Sequence, residues 1–411
     1  MCTRLSTIGF LLLVGLTVRA QVKPQAGIWR GVFTLAGGHT APFNFELAGK
    51  AAYLLNGAER FDLKNVVQRG DSIFLPVDVY NTVLAAKIVD AQTLVGVFKS
   101  LDPQSQGAGV PFRAEFGKRY RFVEQPATPT VSMHGKWDIA IDENVKLIGV
   151  FDQRGSKLTG TFLSTGGDLR YYEGSVQGDE FSLSAFDGSN PQLFTGKISG
   201  NELTGSFINR RQVRLLKGTR NAKASLPDAY GITTMKAGVP FTFTFPDAFT
   251  GKPVSLSDPK YKGKVVIVTT LGSWCHNCMD EAAFLSPWYK ANKQRGIEII
   301  GLAFEAKNDP AFAKARLETV KNRYQIDYDI LFAGIADTKH ASEVLPALSE
   351  MSVYPTTIYV KRNGEVAKVH TGYSGPATGQ YYEEFVKEFK AEMDQLLNES
   401  ASVESSRVTN K

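Results

Sequence analysis

The chain has 411 residues, of which 43% are hydrophobic and 21% charged, a length that calls for two or three domains and a composition that excludes both a disordered chain and a multi-span membrane protein. Its formal charge of +6 arises from 47 basic and 41 acidic residues spread without a run of five like charges, which excludes a nucleic-acid patch.

At the N-terminus Arg4 precedes an apolar stretch from Leu5 to Val18, closed by Val18-Arg19-Ala20 before Gln21. A spanning helix needs about 20 apolar residues, more than this stretch holds. Residues 1–20 therefore read as a secretory signal peptide cleaved near Ala20, which predicts export to the periplasm or cell envelope. Cys2 falls inside that peptide, so of the three cysteines only Cys275 and Cys278 remain in the mature chain. Three positions apart, they close only a very small ring and cannot staple loops together; the pair is there to react.

From residue 21 to about 220, short alternating segments such as Ser72 to Val79 and Lys157 to Phe162, punctuated by Gly, Asn and Asp, predict antiparallel strands joined by tight turns. The region repeats itself. Gly27-Ile-Trp29 recurs as Gly135-Lys-Trp137 and Gly70-Asp71 as Gly178-Asp179, at an offset of 108, while Thr93-Leu-Val-Gly-Val-Phe98 recurs as Glu202-Leu-Thr-Gly-Ser-Phe207 at 109. Two β units follow, 21–125 and 130–220, divided by a segment containing Pro126 and Pro129. A Gly-x-Trp opening followed by a meander resembles small up-and-down barrels of the lipocalin and avidin kind, in which the Trp closes one end. Trp29 and Trp137 are accordingly expected in the core. Pattern alone does not separate two barrels from two halves of one larger sheet.

Beyond the junction at 221–227 the period changes at Gly238 to Phe245, and strand and helix then alternate through a domain predicted to span 238–397. Val265 to Thr270 is an apolar, β-branched run suited to a strand buried on both faces, and Met279 to Arg295 reads as a helix. A strand over 296–304, a helix over Pro310 to Tyr324, a strand near Tyr328 to Phe332 and a helix near Ala341 to Met351 come next. Thr356 to Val360, a turn at Asn363-Gly364 and Val366 to Thr371 make a hairpin. A helix from Gln380 to Leu397 closes the domain, and the polar, Ser-rich 398–411 reads as a flexible tail.

Trp274-Cys-His-Asn-Cys278 stands between the buried strand and its helix. Free N–H groups and the positive dipole end at a helix N-terminus favour a thiolate, which suits Cys275 as nucleophile and the more buried Cys278 as the thiol that resolves a mixed disulfide. Protonated His276 would favour the thiolate further. A zinc site wants four ligands, and no second Cys pair or paired His spacing joins His134, His340 or His370, so no metal is expected. The Pro-x-x-x-Thr/Ser-x-x-Cys pattern of a peroxidatic cysteine is also missing before Cys275.

With Phe-Thr-Phe at 241–245, Gly251 to Asp258, Lys262-Gly-Lys-Val-Val266, the Cys-x-x-Cys followed by Glu281, and Val353-Tyr-Pro-Thr-Thr357, residues 238–395 resemble the TlpA/ResA-like thioredoxin-fold proteins of bacterial envelopes. The resemblance implies a Cys275–Cys278 redox disulfide, a cis Pro355 against it, and Tyr354 pairing its backbone with a substrate segment. Trp274, His276, Tyr354 and Pro355 form the expected substrate-contacting set. Glu305 aligns with an acid near the thiols and is expected to exchange a proton with Cys278, because Thr269 occupies the position of the buried thioredoxin aspartate. Ala283, in place of a proline, and the His-Asn dipeptide depart from the family pattern and leave the redox potential open.

The expected fold is thus an all-β tandem repeat followed by an α/β thioredoxin-like domain. The expected function is a thiol–disulfide oxidoreductase acting on protein thiols or disulfides without a cofactor, recharged by a membrane-bound electron donor if it runs as a reductase, the direction family habit favours. Cytochrome c maturation is one role found in the family. The alternative is a β module that binds a ligand or partner, with the redox domain accessory.

Overall fold

The structure, a computed structural model, describes residues 21–103, 107 and 109–408, so the expected signal peptide lies outside the described residues. In the first β unit, strands β1 (Gly27–Thr34), β2 (Thr40–Ala48), β3 (Ala51–Asn56), β4 (Glu59–Leu63), β5 (Val67–Arg69), β6 (Ser72–Val77), β7 (Thr82–Asp90), β8 (Thr93–Ser100) and β9 (Val110–Phe116) form one antiparallel sheet in the order β4-β3-β2-β1-β9-β8-β7-β6-β5. Every second residue of β3 and β6 is buried, as expected of a sheet with one face in a core. The second unit repeats the meander as β10 (Gly135–Ile141), β11 (Val145–Arg154), β12 (Lys157–Ser164), β13 (Gly167–Asp168), β14 (Tyr172–Gln177), β15 (Glu180–Ala185), β16 (Gln192–Ser199), β17 (Glu202–Ile208) and β18 (Val213–Arg220).

The two copies differ in closure. In the second, β12 pairs with both β11 and β14, and β10 pairs with β18, which closes an eight-stranded barrel with β13 as a short addition on β12. The first is an open half-barrel, its sheet ending at β4 and β5. Barrel and half-barrel answer what the sequence pattern left undecided. Trp29 and Trp137 are both fully buried, and each indole N–H donates to the carbonyl four residues upstream, of Gln25 and Met133 respectively, at 2.9 Å. Inside the barrel Trp137, Phe151, Phe162, Tyr172, Phe181 and Phe194 pack as one cluster, with Phe162 stacked on Phe194 at 4.0 Å. The interior is filled with side chains.

After helix α1 (Ala229–Ile232) and a hairpin of β19 (Thr244–Pro246) and β20 (Pro253–Ser255), the chain runs β21 (Val265–Leu271), α2 (His276–Asn292), β22 (Ile297–Glu305), α3 (Pro310–Tyr324), β23 (Asp329–Ile335), α4 (Thr338–Val344), β24 (Thr356–Val360), β25 (Val366–Thr371) and α5 (Gln380–Val408). The sheet order is β23-β22-β21-β24-β25, parallel across the first three strands and antiparallel across the last two. Every residue of β21, β22 and β24 is buried, the continuous apolar pattern of a sheet covered on both faces. This is a thioredoxin-like fold.

Some boundaries differ from those expected. In the segment where the period changes, strand begins at Thr244. Helix α2 begins at His276, because Cys275 serves as its N-cap. Helix α4 ends at Val344, since Pro346 disfavours helical backbone at Leu345. Helix α5 continues past Leu397 through much of the segment expected as a flexible tail. Among the described residues no helix is long and apolar enough to cross a membrane.

The three units are joined by contacts that reach into their cores. Phe186, on the β15–β16 loop of the barrel, packs into the rings of the half-barrel at 4.8 Å from Phe33, 5.3 Å from Phe43 and 4.9 Å from Phe98. Asn56 holds it there through both backbone groups, donating to the Phe186 carbonyl and accepting from its N–H. Thr82 donates to the carbonyl of Gly188 in the same loop at 2.6 Å. On the other side, α3 reaches the half-barrel through Arg323, which pairs with Asp78 at 2.6 Å and lies over the Phe61 ring.

Candidate active site

The buried strand β21 delivers the segment Gly272-Ser273-Trp274 to the N-terminus of α2, where Cys275 takes the N-cap position and its Sγ accepts the N–H of Cys278 at 3.2 Å. Cys275 and Cys278 form a disulfide. Both are largely covered, Cys275 at 6% exposure and Cys278 at 1%. Cys275 is thus more enclosed than a free helix N-terminus would leave it.

The Tyr354–Pro355 bond is cis, and the Tyr354 carbonyl oxygen lies 3.7 Å from Cys275 Sγ. Trp274 is 43% exposed; its indole N–H donates to the Phe304 carbonyl at 3.0 Å, and its ring meets Tyr354 edge-on at 5.6 Å. Trp274, Tyr354 and Pro355 therefore stand together on one side of the pair. His276 and Asn277 turn the other way, toward the barrel. His276 Nε2 is 3.3 Å from the carbonyl oxygen of Asp168, and Asn277 Nδ2 donates to the Gly166 carbonyl at 2.9 Å. The dipeptide between the cysteines is thus committed to an intramolecular contact, and His276 is drawn away from the substrate-contacting set expected for it.

Glu305, at the end of β22, is fully buried. It accepts the Ser273 N–H at 2.8 Å and the Ser273 hydroxyl at 2.7 Å. Burial raises its pKa against these bonds and against the field of Arg316. Its carboxylate grips the backbone two residues before Cys275 and bonds neither sulfur.

A second buried acid near the start of α2 is Glu281, which the sequence offered only as a family feature. It lies one helical turn after Cys278 on the buried face of α2, a spacing that brings side chains together. Thr269 donates to it at 2.5 Å and Thr357 at 2.6 Å. Burial pushes its pKa up to about 7, with both threonine bonds opposing. The only trace of it in the sequence was a glutamate three residues after Cys278; its threonine partners on β21 and β24 come from the fold.

Residues 238–369 match the AhpC/TSA family. ResA, a thiol–disulfide oxidoreductase of Bacillus subtilis, is 31% identical over 122 residues, 30% of this chain and 60% of the relative; ResA of Halalkalibacterium halodurans is 30% identical over 131 residues, 32% of this chain and 65% of the relative. The chain thus spans less than two thirds of the length of either. Among solved structures, a thioredoxin-family thiol:disulfide interchange protein from Chlorobium tepidum aligns at 19% identity over 39% of this chain and 94% of its own, with a TM-score of 0.28. By strand order and sequence match together, the C-terminal region of this chain carries an AhpC/TSA-type domain on a thioredoxin-like fold and is similar over that region to ResA thiol–disulfide oxidoreductases.

Proposed function

We propose that the protein is an exported thiol–disulfide oxidoreductase that reduces or rearranges protein disulfides. The observation that carries this reading is the Cys275–Cys278 disulfide at the N-terminus of α2, set against the cis Tyr354–Pro355 bond and on the same helix as the buried Glu281. In the reducing direction the Cys275 thiolate attacks one sulfur of a substrate disulfide. That bond breaks, a mixed disulfide forms, and the leaving thiolate takes up a proton. Cys278 then gives its proton to Glu281 and attacks Cys275 Sγ, which closes the protein disulfide and releases the second substrate sulfur, protonated in turn. Two electrons pass to the substrate, and an external dithiol donor, membrane-bound in the exported setting, restores the pair. Trp274 and Tyr354 present the apolar face a substrate segment would meet, while Glu305, through Ser273, holds Cys275 in position.

Arg170 ties the barrel to α2 and to the half-barrel. Arg170 is ringed by Asp280 at 2.5 Å, Glu59 at 2.7 Å and Asp187 at 3.6 Å, and the buried Asp168 accepts its backbone N–H at 2.8 Å. For the β units, a barrel interior filled by aromatic rings favours a role in covering the redox domain over one in holding a ligand.

Cys278→Ser leaves Cys275 without a resolving thiol and should accumulate mixed disulfides with envelope proteins; finding none would end the oxidoreductase reading. The reduction potential against glutathione tests direction. A value near about −270 mV supports the reductase, and one near about −120 mV reverses it.

A further inference from the structure

The covering of Cys275 has a visible cause. The turn that joins β12 to β14, residues 164–170, leaves the barrel and lies on the three loops that surround the disulfide. Its Gly166 carbonyl takes hydrogen bonds from Asn277 and, at 3.4 Å, from the Tyr373 N–H. Asp168 accepts the Gly375 N–H at 2.9 Å, and Arg170 donates to Asp280 of α2 at 2.5 Å. Gly166 also lies beside the side chain of Val353, the residue before Tyr354, where a Cβ would make an ordinary contact at 3.6 Å. Backbone therefore lies on backbone, and glycines on both sides permit it. A Cβ on Gly167, at φ +123°, would come 2.2 Å from the Tyr373 carbonyl oxygen and 2.4 Å from Asn277 Nδ2; one on Gly372, at φ +82°, would come 2.3 Å from the Thr165 carbonyl oxygen. Asp168 is fully buried beneath the turn.

We propose that the barrel turn 164–170 is the specificity-determining element of the redox site. It closes the Asn277 and Val353 side of the pair, so that Cys275 accepts disulfides carried on thin, extended segments arriving over Trp274 and Tyr354 and rejects those flanked by folded bulk. This rests on the oxidoreductase reading and names the substrate class within it. The β repeat then contributes selection, with the His276-Asn277 dipeptide as its anchor on the redox domain.

The test compares the reduced full-length protein with Gly167→Ala and Gly372→Ala, which wedge the turn off from opposite sides, and with Gly200→Ala, where φ is also positive but the space is open. Rates are measured with glutathione disulfide and with insulin. The insulin-to-glutathione rate ratio should rise at least fivefold in both wedge variants and stay within twofold of wild type in Gly200→Ala; a smaller rise in wedge variants that still react with glutathione disulfide overturns the proposal. On the wild type alone, iodoacetamide should alkylate reduced Cys275 at least tenfold faster, relative to the unfolded chain, than a polymer-linked maleimide does. Equal relative rates overturn the proposal whether or not the variants fold. A wild type that reacts with neither disulfide removes the oxidoreductase reading instead.

Discussion

A carboxyl group held between two threonine hydroxyls at the heart of a redox domain has consequences beyond proton transfer. Glu281 has its pKa pushed up to about 7 by burial, whereas buried His370, packed between Tyr230 and Phe385, has its pKa pushed down to about 4 by the same cause. The two act on stability with opposite sign. For Glu281 the native state binds a proton the unfolded chain releases, so its contribution is full below about pH 4.5 and is lost as the pH rises through 7. For His370 the native state refuses a proton the unfolded chain accepts, so its contribution is full above about pH 6.5 and is lost as the pH falls toward 4. Each is worth up to about 3 kcal/mol, and between about pH 4.5 and 6.5 they cancel. The urea midpoint of Glu281→Gln should therefore gain on that of wild type as the pH rises from 4.5 to 8; a difference that does not change with pH would mean the carboxyl titrates alike in the folded and unfolded chain. The cysteines and Pro355 were legible in the sequence because each carries its chemistry in its own residue type. Glu281 was not, because its character comes from Thr269 and Thr357, on two strands that only the fold brings together.

Among the elements, the repeat was the clearest message of the N-terminal half, and its glycines show why it persists. Gly96 on β8 and Gly205 on β17 occupy equivalent positions, and a Cβ on either would come 2.0 Å from a carbonyl oxygen of the neighbouring strand, that of Ala85 or Thr195. Such close strand approach tolerates no side chain. Gly96→Ala and Gly205→Ala should each lower stability by roughly 2–4 kcal/mol, read as paired shifts in urea midpoint; a neutral result in one copy would show that the equivalence is of sequence only. What the repeat concealed was closure. Each copy has the same strands, but whether the meander closes depends on β12 reaching β14, a pairing in the second copy that has no counterpart in the first. Local alternation is identical either way, so a pattern of buried and exposed residues carries no trace of it. In the thioredoxin-like domain, by contrast, burial on both faces, the turn at Asn363-Gly364 and the Asp309 cap of α3 are local signals, and α3 falls on the residues predicted.

At the scale of the molecule, an open sheet needs something to cover its buried face, and the closed barrel supplies it. Phe186 is 1% exposed, yet the rings around it belong to the other β unit, and the buried Asn56 fixes it with two hydrogen bonds that no solvent competes for. A cavity left there is a cavity in the half-barrel. Phe186→Ala should therefore cost about 3–5 kcal/mol, and the loss should be felt at a distance from the substitution. Amide hydrogen exchange should speed in β1, β2 and β8, which carry Phe33, Phe43 and Phe98, while the far wall of the barrel around Leu203 and Leu216 keeps its protection. If protection falls instead across the barrel and is retained in β1 and β2, the half-barrel stands without its plug and the two repeats are independent folding units. The predicted pattern follows from asymmetry between copies: the barrel closes on itself, and the half-barrel closes on its neighbour. Because α3 is anchored to that half-barrel through Arg323 and Asp78, and the turn of the barrel is anchored to α2 through Arg170 and Asp280, loosening Phe186 should also free the redox domain to move against both, raising the exchange of Asn277 and Tyr373 amides without altering that of buried β21.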